Sequence, residues 1–299
     1  MKTAAQWKRF YADERERLGE IGLAQRLDAA PELEPATSKC ALVFPHTLAS
    51  MSGQLTAAVA RAVVRSGASE VLALGVLHGA RARDAELVRR ARAGDRDAVA
   101  SLRRVHDASD AFCAEEFSLD AFEVLLRLAA QREGRSAPRV LARFPFLVGD
   151  DPASLPGIED LAALAARMPV VATTDPIHHG AGYGTPEGER LFERDESTWA
   201  WARDCIAKQF ALLAQGRFAD FAALANAVRS DFRDNGPVLA CLPRRAGTPA
   251  GDRPAGRECP RANGTPAELL ELHLVDYAEV LAAESPTWVA APLVRFGSP

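Results

Sequence analysis

The sequence predicts a single α/β domain over residues 1–299, with a central mixed sheet flanked by helices. Three observations carry that expectation. Short apolar runs alternate with segments of helical spacing. No compositional break or linker divides the 299 residues, which suffice for one large core. Several apolar runs end on a histidine or an acid, where ligands sit in open α/β sheets.

Taken in order, residues 1–38 read as an N-terminal helical extension. Spaced apolar positions run over 6–28, and Pro31 and Pro35 close the segment in a loop. Cys40 to Phe44 is an apolar strand leading into Pro45-His46. Gln54 to Arg65 has helical spacing and stops before Gly67. Glu70 to Val76 is a second strand, followed by His78, so the chain to this point makes a βαβ unit. Residues 84–105 are rich in Arg and Asp and read as an exposed excursion. Glu116 to Ala130 is an amphipathic helix, Val140 to Val148 a strand, and Ile158 to Arg167 a helix. Pro169 to Thr174 is a strand that ends on Asp175-Pro176-Ile177-His178-His179-Gly180. Glu196 to Leu213 and Phe218 to Val228 are helical. Residues 243–265 are dense in Pro, Gly and Arg (Arg244, Arg245, Arg253, Arg257, Arg261) and read as a flexible loop insertion. Leu269 to Leu281 is helix or strand, and Trp288 to Arg295 a last strand.

Composition narrows the function. Lys+Arg 36 against Asp+Glu 40 gives a formal net charge of -4, which argues against a protein built on a basic nucleic-acid footprint. There is no stretch of 18 apolar residues, and the charged N-terminus has no apolar signal core, so neither membrane nor export is expected. The five cysteines include no CxxC pair. They read as free thiols, mostly buried, in a cytoplasmic protein, and not as a zinc module.

Six histidines are few enough to sort individually. His46, His78 and His178 each follow an apolar run. Imidazole is the commonest neutral metal ligand, and three imidazoles from three strand ends could hold one ion with positions left open. Asp175 could be a further ligand, an orienter or a proton acceptor. His106 lies in a polar stretch and is expected to be solvated; His273 is expected on a helix surface or in the core.

The same residues carry a resemblance. Phe44-Pro45-His46 followed by Ser52-Gly53, Leu74-Gly75-Val76-Leu77-His78, Glu116-Phe117-Ser118-Leu119, and Thr174-Asp175-Pro176-Ile177-His178-His179-Gly180 occur in the order of four segments of the MEMO family. That family groups with the class III extradiol (LigB-like) dioxygenases. The resemblance spans about residues 40–295 and implies a LigB/MEMO-like α/β fold with a mononuclear non-haem metal site. It implies metal ligation by His46, His78 and His178, with Asp175 as the acid of the site. It also implies a cysteine near the metal, matched by Cys241, and an acid/base imidazole, for which His179 is the candidate. Thr47-Leu48, Val76-Leu77 and Phe117 depart from the family's residues and point to a different pocket lining.

The implied function is that of an extradiol-type oxygenase acting on a small aromatic substrate, catechol- or aminophenol-like, with O₂. Fe(II) is the favoured ion, with copper or zinc as alternatives, because a set of three neutral histidines lacks the carboxylate usual at Fe(II) oxygenase sites. A MEMO-like metal-binding protein without turnover (binding a peptide or partner) and a metal-assisted hydrolase are the competing expectations. Nucleic acid and membrane are not expected partners; homo-oligomerisation is allowed.

Overall fold

A computed structural model describes residues 4–78, 82–242 and 267–297. The predicted loop at 243–265, with its five arginines and Cys259, lies outside the described residues. Among the described residues the helices are α1 (Ala4–Asp28), α2 (Ala49–Arg65), α3 (Ala82–Arg92), α4 (Arg96–Leu102), α5 (Asp120–Arg132), α6 (Ile158–Ala165), α7 (Glu196–Ala214), α8 (Phe218–Ala227), α9 (Phe232–Cys241) and α10 (Ala278–Leu281). The strands are β1 (Ala41–Phe44), β2 (Glu70–Leu74), β3 (Arg104–Asp107), β4 (Arg139–Phe146), β5 (Val170–Thr173), β6 (His178–Gly180), β7 (Ala267–Asp276) and β8 (Thr287–Phe296).

The strands form one mixed sheet in the order β3-β4-β2-β5-β1-β8-β6, with β7 on the other side of β8. Strands β4, β2, β5 and β1 run parallel; β3, β6, β7 and β8 pair antiparallel to their neighbours. The α/β class and the mixed, helix-flanked sheet are therefore as the sequence predicts.

The central strands are apolar on both faces because both faces are covered. Side chains alternate across a strand, so Leu42 and Phe44 of β1 and Val71 and Ala73 of β2 join one core with α2 and α5. Val43, Leu72 and Leu74 join the opposite core with α7, α8 and α9. Phe44 stacks on Phe122 of α5 at 5.0 Å, and both are fully buried. Burial of each contributes roughly 1.5–3 kcal/mol.

Three expectations are corrected. The Arg/Asp-rich stretch 84–105 is not an excursion: it holds α3, α4 and the start of β3, anchored by the buried Ala91, Ala98 and Leu102. Asp95 caps α4 by accepting from the Ala98 N–H at 3.0 Å. His106 is not solvated; it is fully buried in β3, with Nε2 donating to the Leu102 carbonyl at 2.8 Å. Cys40, Cys113 and Cys205 are free, but Cys241 is disulfide-bonded, against the expectation of free thiols throughout. His273 lies part-buried in β7, beside Glu271. No helix among the described residues is long and apolar enough to cross a membrane.

Candidate metal centre

The parallel register brings the first two site residues together. Phe44 of β1 pairs with Thr173 of β5, and His46 and Asp175 each lie two residues beyond. The His46 N–H accordingly donates to Asp175 Oδ1 at 3.3 Å. Thr56 of α2 donates to the Pro45 carbonyl at 3.2 Å and holds the His46 turn from below. His78 follows β2, the other neighbour of β5. His178 opens β6, a strand held to β8 by pairing of His178 with Val289.

A carboxylate that the sequence reading missed stands at the centre of the group. Asp231 Oδ2 lies 3.4 Å from His46 Nε2, 3.6 Å from His178 Nε2 and 3.9 Å from His78 Nε2. Asp175 Oδ2 lies 3.4 Å from His46 Nε2. The Asp231 N–H donates to the Asp175 carbonyl at 3.1 Å, which locks the two acids together. Four residues on, the Asn235 amide donates to the carbonyls of Leu74, Gly75 and Thr173 and ties the ends of β2 and β5 to the start of α9.

Each imidazole is held from behind through Nδ1. His178 Nδ1–H donates to the Arg229 carbonyl at 2.7 Å. Arg229 has φ 56, a left-handed conformation unusual for a residue with a side chain. His46 Nδ1 meets Thr173 Oγ1 at 3.1 Å. His78 Nδ1 meets the buried Glu116 at 3.0 Å, and the same carboxylate accepts the His78 backbone N–H at 2.5 Å. With Nδ1 engaged, Nε2 of all three rings faces inward. Such outer partners fix the tautomer of metal-binding histidines.

The donor set fits a small cation. Ligands about 2.1 Å from a central ion are spaced about 3.0 Å apart at adjacent octahedral positions and about 3.4 Å at tetrahedral ones. The carboxylate–imidazole separations here are 3.4–3.9 Å, and the donor atoms form two triads that share Asp231, His46–His78–Asp231 and Asp175–His178–Asp231, each gathered within 4.8 Å. Electrostatics point the same way. Burial opposes charge on Asp231, but His178, His46 and His78 outweigh it and hold the carboxyl well below its usual range. Burial likewise opposes charge on the His78 ring, yet Glu116 and Asp231 push it up to about 10. Burial raises Asp175, partly offset by His46 and His178. Without an ion, protons carry the positive charge that this cluster of carboxylates demands; a bound cation would replace them.

No family model matches this chain, and no curated protein matches it.

Two predicted site residues do not join the group. His179 neighbours His178 in a strand, so the two rings leave opposite faces. His179 stacks on Trp288 at 4.8 Å, and its Nε2 accepts the Leu191 N–H at 2.8 Å, behind the site. Cys241 ends α9, ten residues along the helix from Asp231 at its other end. It does not line the cavity at the histidines. The position facing the three imidazoles belongs to Asp231 instead. Asp231 sits in a polar stretch between α8 and α9 with no apolar run to flag it. Glu116 was noticed only within a motif; the predicted helix from Glu116 begins instead at Asp120, and the loop before it carries Glu116 to His78.

The centre opens into a cavity of about 400 Å³ with aromatic walls: Trp7, Tyr11, Phe117, Tyr183 and Tyr277. Phe117 stacks on the His78 ring at 4.5 Å, and Tyr183 meets the His178 ring edge-on at 4.8 Å. The Tyr11 and Tyr277 hydroxyls bond at 2.8 Å, and Tyr277 accepts the Leu48 N–H at 3.2 Å. The departures at Leu48 and Phe117 therefore do lie in or beside the lining.

Proposed function

We propose that this protein is a mononuclear non-haem metal-dependent oxygenase of extradiol type acting on a small aromatic substrate. The observation that carries the proposal is the convergence of His46, His78 and His178 with the Asp231 carboxylate at the mouth of an aromatic-walled cavity. Asp231 supplies the carboxylate that a three-histidine set lacks, so the two-histidine, one-carboxylate set usual for Fe(II) oxygenases is available from His46, His78 and Asp231. This favours Fe(II) over copper or zinc. The ordered motifs shared with the MEMO family and the LigB-like dioxygenases support the same reading and suggest a LigB/MEMO-like fold.

Bound Fe(II) would supply open positions for both a catechol-type substrate and O₂ and pass electron density between them. The protein's own residues do the rest. Glu116, Thr173 and the Arg229 carbonyl orient the three rings. The aromatic walls take a flat ring and exclude water from its faces. Asp175 Oδ2, buried 3.4 Å from His46 Nε2, is the carboxylate placed to accept a hydroxyl proton from the substrate. His179 has no part in that step.

Protein purified anaerobically and loaded with Fe(II) should consume O₂ with catechols or aminophenols and yield a yellow ring-opened product. Metal retention with no O₂ uptake across that panel overturns the oxygenase reading and favours binding without turnover. Hydrolytic activity of the zinc-loaded protein in its place favours hydrolysis.

A further inference from the structure

A second cavity, of about 290 Å³, lies behind β6, on the side to which the His179 ring turns. It shares only His178 and Arg229 with the aromatic-walled cavity at the metal centre. Its walls come from β6, the loop 185–191 and the end of α8. The loop is tied down at both ends. The Gly180 N–H donates to Thr185 Oγ1 at 2.9 Å. The Leu191 N–H donates to His179 Nε2 at 2.8 Å, and Trp288 Nε1–H donates to the Leu191 carbonyl at 2.7 Å.

These bonds decide which hydrogens are left over. A neutral imidazole whose Nε2 accepts carries its proton on Nδ1. The His179 Nδ1–H meets no acceptor among the described residues. It is not sealed among buried atoms, and the open space that His179 lines is this cavity. Thr185 is alike: its Oγ1 accepts, and its own hydroxyl hydrogen has no acceptor among the described residues. Both residues are only 5% exposed. Buried donors of this kind are costly unless something in the cavity completes them.

The charge at this end is positive. The Arg229 guanidinium donates to the Gly184 carbonyl at 2.9 Å and has no carboxylate partner among the described residues. Burial first, and Arg229 second, keep the His179 ring neutral, and no acid offsets that effect. Glu189, the one acid of the lining, sits on an exposed turn. Ile177, Leu191 and Trp201 make much of the remaining wall apolar. The space is small for a drug-sized ligand and sufficient for a short chain.

We infer that this second cavity is a binding site for a short-chain aliphatic carboxylate. The carboxylate oxygens take the His179 Nδ1–H, the Thr185 hydroxyl and the Arg229 guanidinium, and the tail lies against Ile177, Leu191 and Trp201. A carboxylate is the group that accepts from several donors at once and answers the charge of a guanidinium. The site is separate from the metal chemistry and does not depend on it.

The test uses the full chain without metal, with isovalerate as the probe and isovaleramide as its neutral match. Calorimetry should show roughly a 10- to 100-fold preference for the acid. Thr185→Val removes the hydroxyl and should lower acid affinity about 10-fold, and Thr185→Ser should restore it. Arg229→Gln should bring acid and amide to within about twofold. Arg233→Gln, on the wall of the first cavity, should change neither. Nuclear magnetic resonance of isotope-labelled histidine supplies a reading that needs no variant: isovalerate, and not the amide, should shift the His179 Nδ1 signal. Equal binding of acid and amide, or no binding of the acid, overturns the inference. So does a folded Thr185→Val that keeps wild-type acid affinity, a preference that depends on Arg233 instead, or a His179 signal that saturating isovalerate leaves in place. With no metal present, each of these outcomes is distinct from failure of the oxygenase reading, which O₂ uptake decides.

Discussion

Glu116→Gln is the most informative single change. The Glu116 carboxylate accepts two N–H groups of the same residue, the His78 backbone at 2.5 Å and His78 Nδ1 at 3.0 Å. Both oxygens are acceptors, so Nδ1 keeps its proton, and Nε2 is the nitrogen that gives up its proton to an ion. A glutamine has one oxygen and one NH₂. If the oxygen stays on the backbone N–H, the NH₂ faces Nδ1, and the ring must move its proton to Nε2. The ligand atom is then blocked. If the amide flips, NH₂ faces N–H, and a buried donor loses its acceptor at a cost of about 1–3 kcal/mol in stability. Loss of such an orienting partner lowers metal affinity about 10- to 100-fold, or about 1.4–2.8 kcal/mol. Titration of zinc against a chromophoric chelator measures the affinity, and urea unfolding of the metal-free protein measures the stability. Zinc affinity within about twofold of wild type, with unchanged stability, would refute the claim that Glu116 sets the His78 tautomer.

Other outcomes follow from the same geometry. Asp231→Asn removes the charge that faces three imidazoles and should lower zinc affinity by about 100-fold or more in the same titration; Cys241→Ser, at the far end of α9, should not change it. His179 is held down to about 4 by burial and, secondarily, by Arg229, consistent with an Nε2 that accepts a hydrogen bond. Because its folded pKa lies below its ordinary value near 6.5, its contribution is complete above that value and is lost as pH falls through about 4. The loss is at most about 3 kcal/mol. Urea unfolding between pH 7 and 4 should show a shallower acid decline in His179→Gln, and equal declines would refute the assignment. Phe122→Ala opens a cavity against Phe44 and should cost about 3–5 kcal/mol in urea unfolding. Gly180→Ala should fail to accumulate as folded protein, since its φ is 102 and a Cβ there would meet the Pro286 carbonyl oxygen at 1.9 Å.

The strand-end histidines were legible because apolar runs and their polar terminators are local signals. His46, His78, His178 and Asp175 each sit within a few residues of a run that buries both faces. Asp231 was not legible. It reaches the site through the turn between α8 and α9, and the Gly236-Pro237 pair inside α9 carries the ordinary signature of a broken helix. The glycine packs closely there, where a Cβ would meet side chains of Phe221, Phe232 and Leu213 at 3.0–3.1 Å. His179 is a site candidate through the resemblance and its place beside His178; β6 has only three residues, too few to show in sequence the alternation that turns its ring away. The helices and strand within 84–105 were missed because their buried contacts are mostly small alanines amid charge. Cys241 was matched by motif alone, and helix length separates it from the histidines.

The central claim is that three imidazoles and Asp231 hold one metal ion. Elemental analysis of protein reconstituted with Fe(II) and dialysed without chelator tests it most directly, in the wild type and in a His46→Ala/His178→Ala variant that remains folded by circular dichroism. Close to one iron per chain is expected in the wild type and almost none in the variant. Iron absent from the wild type, or retained equally by both, would contradict it.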